Sequence, residues 1–137
     1  MANILRSLAL GGSLFLAGVA TAVTAQKYSD SHLRQEQQRA VLSGAEHMEV
    51  IVSVAEYPPG EFMGRHIHHG LEAAYIIDGA EVEIPGKGTI SLPTGKAVLN
   101  LRDVPHGGMK VTGEQTLRLF TVHIVDRDKP LYDFIEK

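Results

Sequence analysis

The chain has 137 residues, 44% of them hydrophobic and 21% charged, with a formal net charge of −3. That length supports one domain, and the charge, with 6% aromatics and no tryptophan, excludes the basic or base-stacking surface of a nucleic-acid binder. The absence of cysteine excludes disulfides, thiolate metal sites and cysteine nucleophiles, so any metal must be held by nitrogen and oxygen, which suit Fe, Mn, Ni, Zn, Co or Cu.

Residues 1–25 read as a secretory signal peptide. Arg6 supplies the positive start, Leu8 to Ala20 is apolar and small, and Val23-Thr24-Ala25 places small residues at −3 and −1 before Gln26. The apolar run ends at Val23, short of the roughly 20 residues a membrane span needs, which favours cleavage over an uncleaved anchor. Cleavage leaves residues 26–137 as a mature domain, periplasmic or secreted and without membrane attachment. Residues 26–46 are polar and lack alternation, so they are expected to be mostly coil. Within them Ser31 to Arg39 could form a short helix or run extended along a sheet edge. His32 and His47 are isolated and read as surface residues.

From Glu46 the texture changes. Glu49–Glu56 is rich in β-branched residues and ends at Tyr57-Pro58-Pro59-Gly60, a strand followed by a turn. Phe62–His68 and Ala73–Ile77 read as the next two strands, the latter ending at Asp78-Gly79, a pair favoured in hairpin turns. Ala80–Ile84 alternates cleanly, Pro85 to Gly88 turns it, and Thr89–Leu92 runs back. Ala97–Leu101, Gly107–Val111 and Leu117–Val125 complete the set. Short strands with regular turn signals predict an all-β antiparallel sandwich or barrel. The tail from Asp126 carries Tyr132 and Phe134 and is expected to cover a barrel edge or meet a partner.

Metal-competent side chains concentrate between Gly60 and Gly79. Alternation puts His66 and His68 on one face of a strand, about 7 Å apart along the chain. Glu72 follows across the Gly70 bend and can bring a carboxylate to the same ion. Further on, His106 and His123 are both available, as is His47, and spacing alone does not choose among them. Ile76 shares parity with Glu72, and Phe62 with the histidines, so both are expected to wall a cavity. Tyr75 should face the other way and pack between sheets or at an interface. His69 points away from its neighbours and is expected to be exposed. His123 reads as a packed barrel or interface histidine, and Arg65 and Arg102 as solvated surface.

Gly60, His66, His68, Glu72 and Gly79 resemble the first motif of the cupin superfamily: glycine, five residues, H-x-H, three or four residues, glutamate, six residues, glycine. Gly95 and His106 fall in register with the second motif, while Leu101, Asp103 and Lys110 replace its proline, glycine and asparagine. The resemblance implies an antiparallel jelly-roll β-barrel with its metal site within residues 60–110. The ligands it implies are His66, His68, Glu72 and His106, holding one divalent transition metal with one or two positions left open. Asp103, in place of the family glycine, could orient His106 or act as a base, although a surface pair with Arg102 is the simpler expectation. The family supports dioxygenation, decarboxylation, isomerisation and lyase chemistry on small molecules. A dioxygenase-like metalloenzyme is therefore one expectation, and a non-catalytic metal or small-ligand binding protein is the other. Edge strands of such a barrel need covering, so a homodimer is expected.

Overall fold

A computed structural model describes residues 31–135. The residues expected to form a signal peptide lie outside them. Eleven strands run in order: β1 (Arg34–Val41), β2 (Met48–Tyr57), β3 (Phe62–Met63), β4 (His66–Ile67), β5 (Gly70–Asp78), β6 (Ala80–Ile84), β7 (Gly88–Leu92), β8 (Ala97–Asn100), β9 (Met109–Thr112), β10 (Leu117–Asp126) and β11 (Asp133–Phe134). All pairings are antiparallel. One sheet has the order β1-β2-β10-β5-β8, another β3-β9-β6-β7, and β11 pairs with β4. Among the described residues there is no helix.

The long strands β2 and β10 are rich in β-branched residues. Burial alternates along them, broken only at the partly buried Leu119, so each strand turns one row of side chains inward. Ala55, Tyr57, Ile76 and Leu117 of the five-stranded sheet meet Ala80, Val82 and Val111 of the four-stranded sheet in one core cluster. Fully burying residues such as Val82 and Leu117 is worth about 1.5–3 kcal/mol each. Ile51, Val125, Leu131 and Tyr132 form a second cluster farther along β2 and β10. Between the two clusters the inward row turns polar. Ser53, Thr121, His123 and Glu72 are all buried there.

Four expectations need correction. Residues 34–41 are a strand, not coil. This edge strand is almost wholly exposed, so burial leaves no alternation in its sequence. It is held instead by backbone pairing to β2 and by charged side chains: Arg34 bonds Ser53 Oγ at 2.5 Å, and Arg39 bridges Glu36 and Glu49. The expected strand Phe62–His68 is broken into β3 and β4 at Gly64-Arg65, because each half pairs with a different partner. Asp78-Gly79 is not a hairpin turn. The chain crosses there from one sheet to the other, and β6 pairs with β7 and β9 rather than with β5. Gly79 is required by crowding, since a Cβ would lie 2.3 Å from the carbonyl oxygen of Leu92. Lastly, of the two places expected for Tyr75, between the sheets or at an interface, the first is excluded: the side chain faces away from Glu72, as its parity predicts, and is 49% exposed.

Candidate metal centre

His66 and His106 are joined through their backbones. The N–H of His66 donates to His106 O at 3.0 Å, and that of His106 to His66 O at 2.9 Å. This two-residue bridge delivers both imidazoles to one place, with ring centroids 4.3 Å apart. His68 follows one residue after β4, and its ring lies 4.8 Å from each of the other two. Glu72 enters from β5. Its Oε2 is 3.4 Å from His68 Nε2 and 3.3 Å from His106 Nε2. The four residues expected to gather are therefore together. His66, His68 and Glu72 are buried, and His106 is partly exposed.

The outer sides of the rings are anchored. Nδ1 of His66 donates to Gly64 O at 2.7 Å, that of His68 to Leu131 O at 2.5 Å, and that of His106 to Val104 O at 2.9 Å. A carbonyl oxygen only accepts, so each Nδ1 holds the proton and each Nε2 keeps a bare lone pair. Nε2 of His68 and of His106 are buried without a hydrogen-bond partner. Bare imidazole nitrogens beside a carboxylate are the donors a divalent transition metal takes, and orphaned buried polar atoms are otherwise costly. The ring nitrogens of His66, His68 and His106 lie within 4.8 Å of one another, so these residues fit a metal ion.

Electrostatics agree with that fit. Burial lowers the His66 pKa to about 4, outweighing its carbonyl bond to Gly64. Burial alone would raise Glu72, but His106, His123 and His68 together hold it well below the usual carboxylate range. Burial pushes His106 down, yet the Glu72 carboxylate leaves it raised overall. Burial lowers His123 against the pull of Glu72. The set is three or four imidazoles around one committed anion.

Several neighbours were not evident from the sequence. His123 is fully buried, with Nε2 3.3 Å from Glu72 Oε1, so it belongs to the cluster rather than to an interface. Asn100 donates to Glu72 Oε2 at 2.6 Å. Both sit directly across from Glu72 in register, His123 on β10 and Asn100 on β8. Knowing the strand pairing would have found them; motif spacing does not. Tyr132 packs against His66 and His68, with centroids 4.7 and 4.9 Å away, so the tail enters the barrel instead of merely covering it.

Other expectations fare unevenly. Ile76 lines the cavity as expected, but Phe62 is 46% exposed and does not, because the break after β3 resets its parity. Arg65, His32 and His47 are exposed. Asp103 contacts neither His106 nor Arg102 by hydrogen bond. It bonds His69 Nδ1 at 2.9 Å, while Arg102 pairs with Asp126. His69 is not simply exposed, since its Nε2 also meets Asp133 at 3.3 Å.

Beside the centre lies a cavity of about 150 Å³. His66, Glu72, His106, Asn100 and Tyr132 form its polar end, and Met63, Ile76, Leu92, Val98, Met109 and Leu119 much of the rest. No lysine or arginine lines it.

By sequence, no family model and no curated protein matches the chain. Among solved structures, the chain is similar to a conserved protein with a double-stranded β-helix domain from Klebsiella pneumoniae. The TM-score is 0.55 at 19% identity, covering 76% of this chain and 84% of that one. The fold is that of the cupins. A cupin domain from Bordetella pertussis also matches, with TM-score 0.44 at 18% identity over 66% of this chain and 90% of that one. So does the polyketide cyclase RemF from Streptomyces resistomycificus, with TM-score 0.48 at 21% identity over 73% of this chain and 82% of that one. At 19% identity the likeness to the first of these shows the barrel fold alone and leaves the chemistry to the site.

Proposed function

We propose that this cupin barrel is a metal-dependent enzyme of the cell envelope acting on a small, largely apolar organic molecule. The observation that carries the reading is the inward, proton-free Nε2 edge of His66, His68 and His106 beside the Glu72 carboxylate, opening on an apolar cavity. These four residues would hold the metal. A bound divalent ion there would polarise a substrate oxygen or acidify a water. The chain's own part is to fix the donors, exclude bulk water with its methionine and leucine lining, and accept an uncharged molecular body. The leader-like pattern of residues 1–25 supports an envelope address.

One observation favours the second reading, a non-catalytic binding protein. Beyond the histidines and Glu72, the titratable lining groups are the phenols Tyr57 and Tyr132. Elemental analysis of the isolated chain should find about one transition metal per chain, removed by replacing His66 and His106 together with alanine. Oxygen uptake by the Fe(II) form is then measured against a panel of enols and flavonols. Turnover supports the enzyme. Tight binding without turnover supports the binding protein, and a metal-free chain that takes up no added ion overturns both.

A further inference from the structure

His123 differs from the other three imidazoles in one respect. Each of those has a carbonyl oxygen facing Nδ1; His123 has none. Neither of its nitrogens has a hydrogen-bond partner, and the ring is fully buried. A neutral imidazole carries one proton. On Nδ1 it would be a buried donor with nothing to receive it. On Nε2 it faces Glu72 Oε1 at 3.3 Å, close enough for a slight ring rotation to align it.

Building on the metal-centre reading above, we propose that His123 is a positioning residue of the opposite tautomer, whose Nε2–H donates to Oε1 of Glu72. Asn100 holds Oε2 from the other side. His123, Glu72 and Asn100 are consecutive partners across β10, β5 and β8, so the carboxylate is gripped from both neighbouring strands. The donor atoms of His68, Glu72 and His123 also lie within 4.8 Å of one another, a spacing that would suit His123 as a ligand. The tautomer argues otherwise: a ligating Nε2 would strand the Nδ1–H. Each carboxylate oxygen then accepts one hydrogen bond and keeps a further lone pair, and Oε2 is the oxygen that faces Nε2 of His68 and His106.

The test is the protonation pattern of the imidazoles, read by nitrogen NMR on the Zn(II)-loaded chain. His66, His68 and His106 are expected to be protonated on Nδ1 and His123 on Nε2. A His123 protonated on Nδ1, with a metal-shifted Nε2, overturns the proposal. Cu(II) electron paramagnetic resonance is expected to count three imidazole nitrogens in the native chain and in His123→Gln and His123→Leu. Four in the native chain falling to three in the variants also overturns it. Zn(II) affinity should fall about 10–100-fold in His123→Leu and largely recover in His123→Gln, which retains a donor. If the leucine variant does not fold, the native spectrum and the glutamine variant still decide. A native chain that takes up no Zn(II) removes the metal reading itself, while the tautomer remains readable in the metal-free protein.

Discussion

His66 and His106, forty residues apart in the chain, are each other's backbone hydrogen-bond partners at 3.0 and 2.9 Å. The positions of two metal-competent rings are thus set by main-chain geometry before any ion arrives. Gly107, next in the chain, sits at φ +72 with its α-carbon facing this bridge. A Cβ there would lie 2.6 Å from Gly64 O and 3.2 Å from the His66 ring. Gly107→Ala is therefore expected to cost about 1–3 kcal/mol and to weaken Zn(II) binding while leaving every donor in place. Urea denaturation with a Zn(II) competition titration checks both, and native values for both would sink the geometric account.

The tail is part of the centre. Leu131 is 1% exposed, and its carbonyl receives the His68 Nδ1 proton. Tyr132 walls the cavity next to His66 and His68. Leu131→Ala should destabilise the fold by about 2–5 kcal/mol. Ending the chain at Pro130 should lower metal affinity about 10–100-fold by freeing the His68 ring. Isothermal titration against the full-length chain measures the second effect.

Acid should loosen the metal-free protein. His66 titrates at about 4 in the fold and at 6.5 when unfolded. Between those values the unfolded chain takes a proton that the folded chain refuses, so stability falls as pH drops through that window, by up to about 3 kcal/mol. Glu72 acts in the same sense lower down: its contribution is present above about 4.5 and is lost as pH falls towards its depressed folded value. His106, raised, runs the other way, with its contribution full below 6.5 and lost as pH rises through its folded value. Urea midpoints from pH 7 to pH 4 should slope downward with acid, and His66→Ala should flatten much of the slope between 6.5 and 4. A level profile in the native chain contradicts the burial of a neutral His66.

Asp103 holds φ +58, a left-handed conformation that costs a non-glycine residue about 1–2 kcal/mol. Its carboxylate bonds His69, and its N–H donates to His68 O at 3.0 Å. Asp103→Ala keeps the strain and loses the side-chain bond, whereas Asp103→Gly loses the bond and relieves the strain. The glycine variant should therefore be the more stable of the two by about 1 kcal/mol. Thermal melts of the pair settle the order; an alanine variant equal to or above the glycine one would contradict the strain.

Much of this was written in the chain, and the remainder was withheld for definite reasons. Glu49 to Glu56 and Leu117 to Val125 declare themselves as strands because they are rich in β-branched residues and bounded by turn signals. His66, His68 and Glu72 are legible from local spacing, and His106 from its register with the second motif. Asn100 and His123 are not, since their relation to Glu72 exists only after β8 and β10 have paired with β5. Residues 34–41 were hidden because an exposed edge strand needs no apolar side. Asp78-Gly79 misled because a dipeptide suited to a tight turn also suits a crossing between sheets, where Gly79 serves for want of room.

The Leu131 carbonyl that orients His68 also fixes an order of events. A nascent chain emerging from the ribosome presents His66, His68, Glu72 and His106 before residue 131, so until that residue follows, the four side chains stand without their last strut. Full-strength capture of an ion at the proposed centre is thereby deferred until the segment after Pro130 has docked.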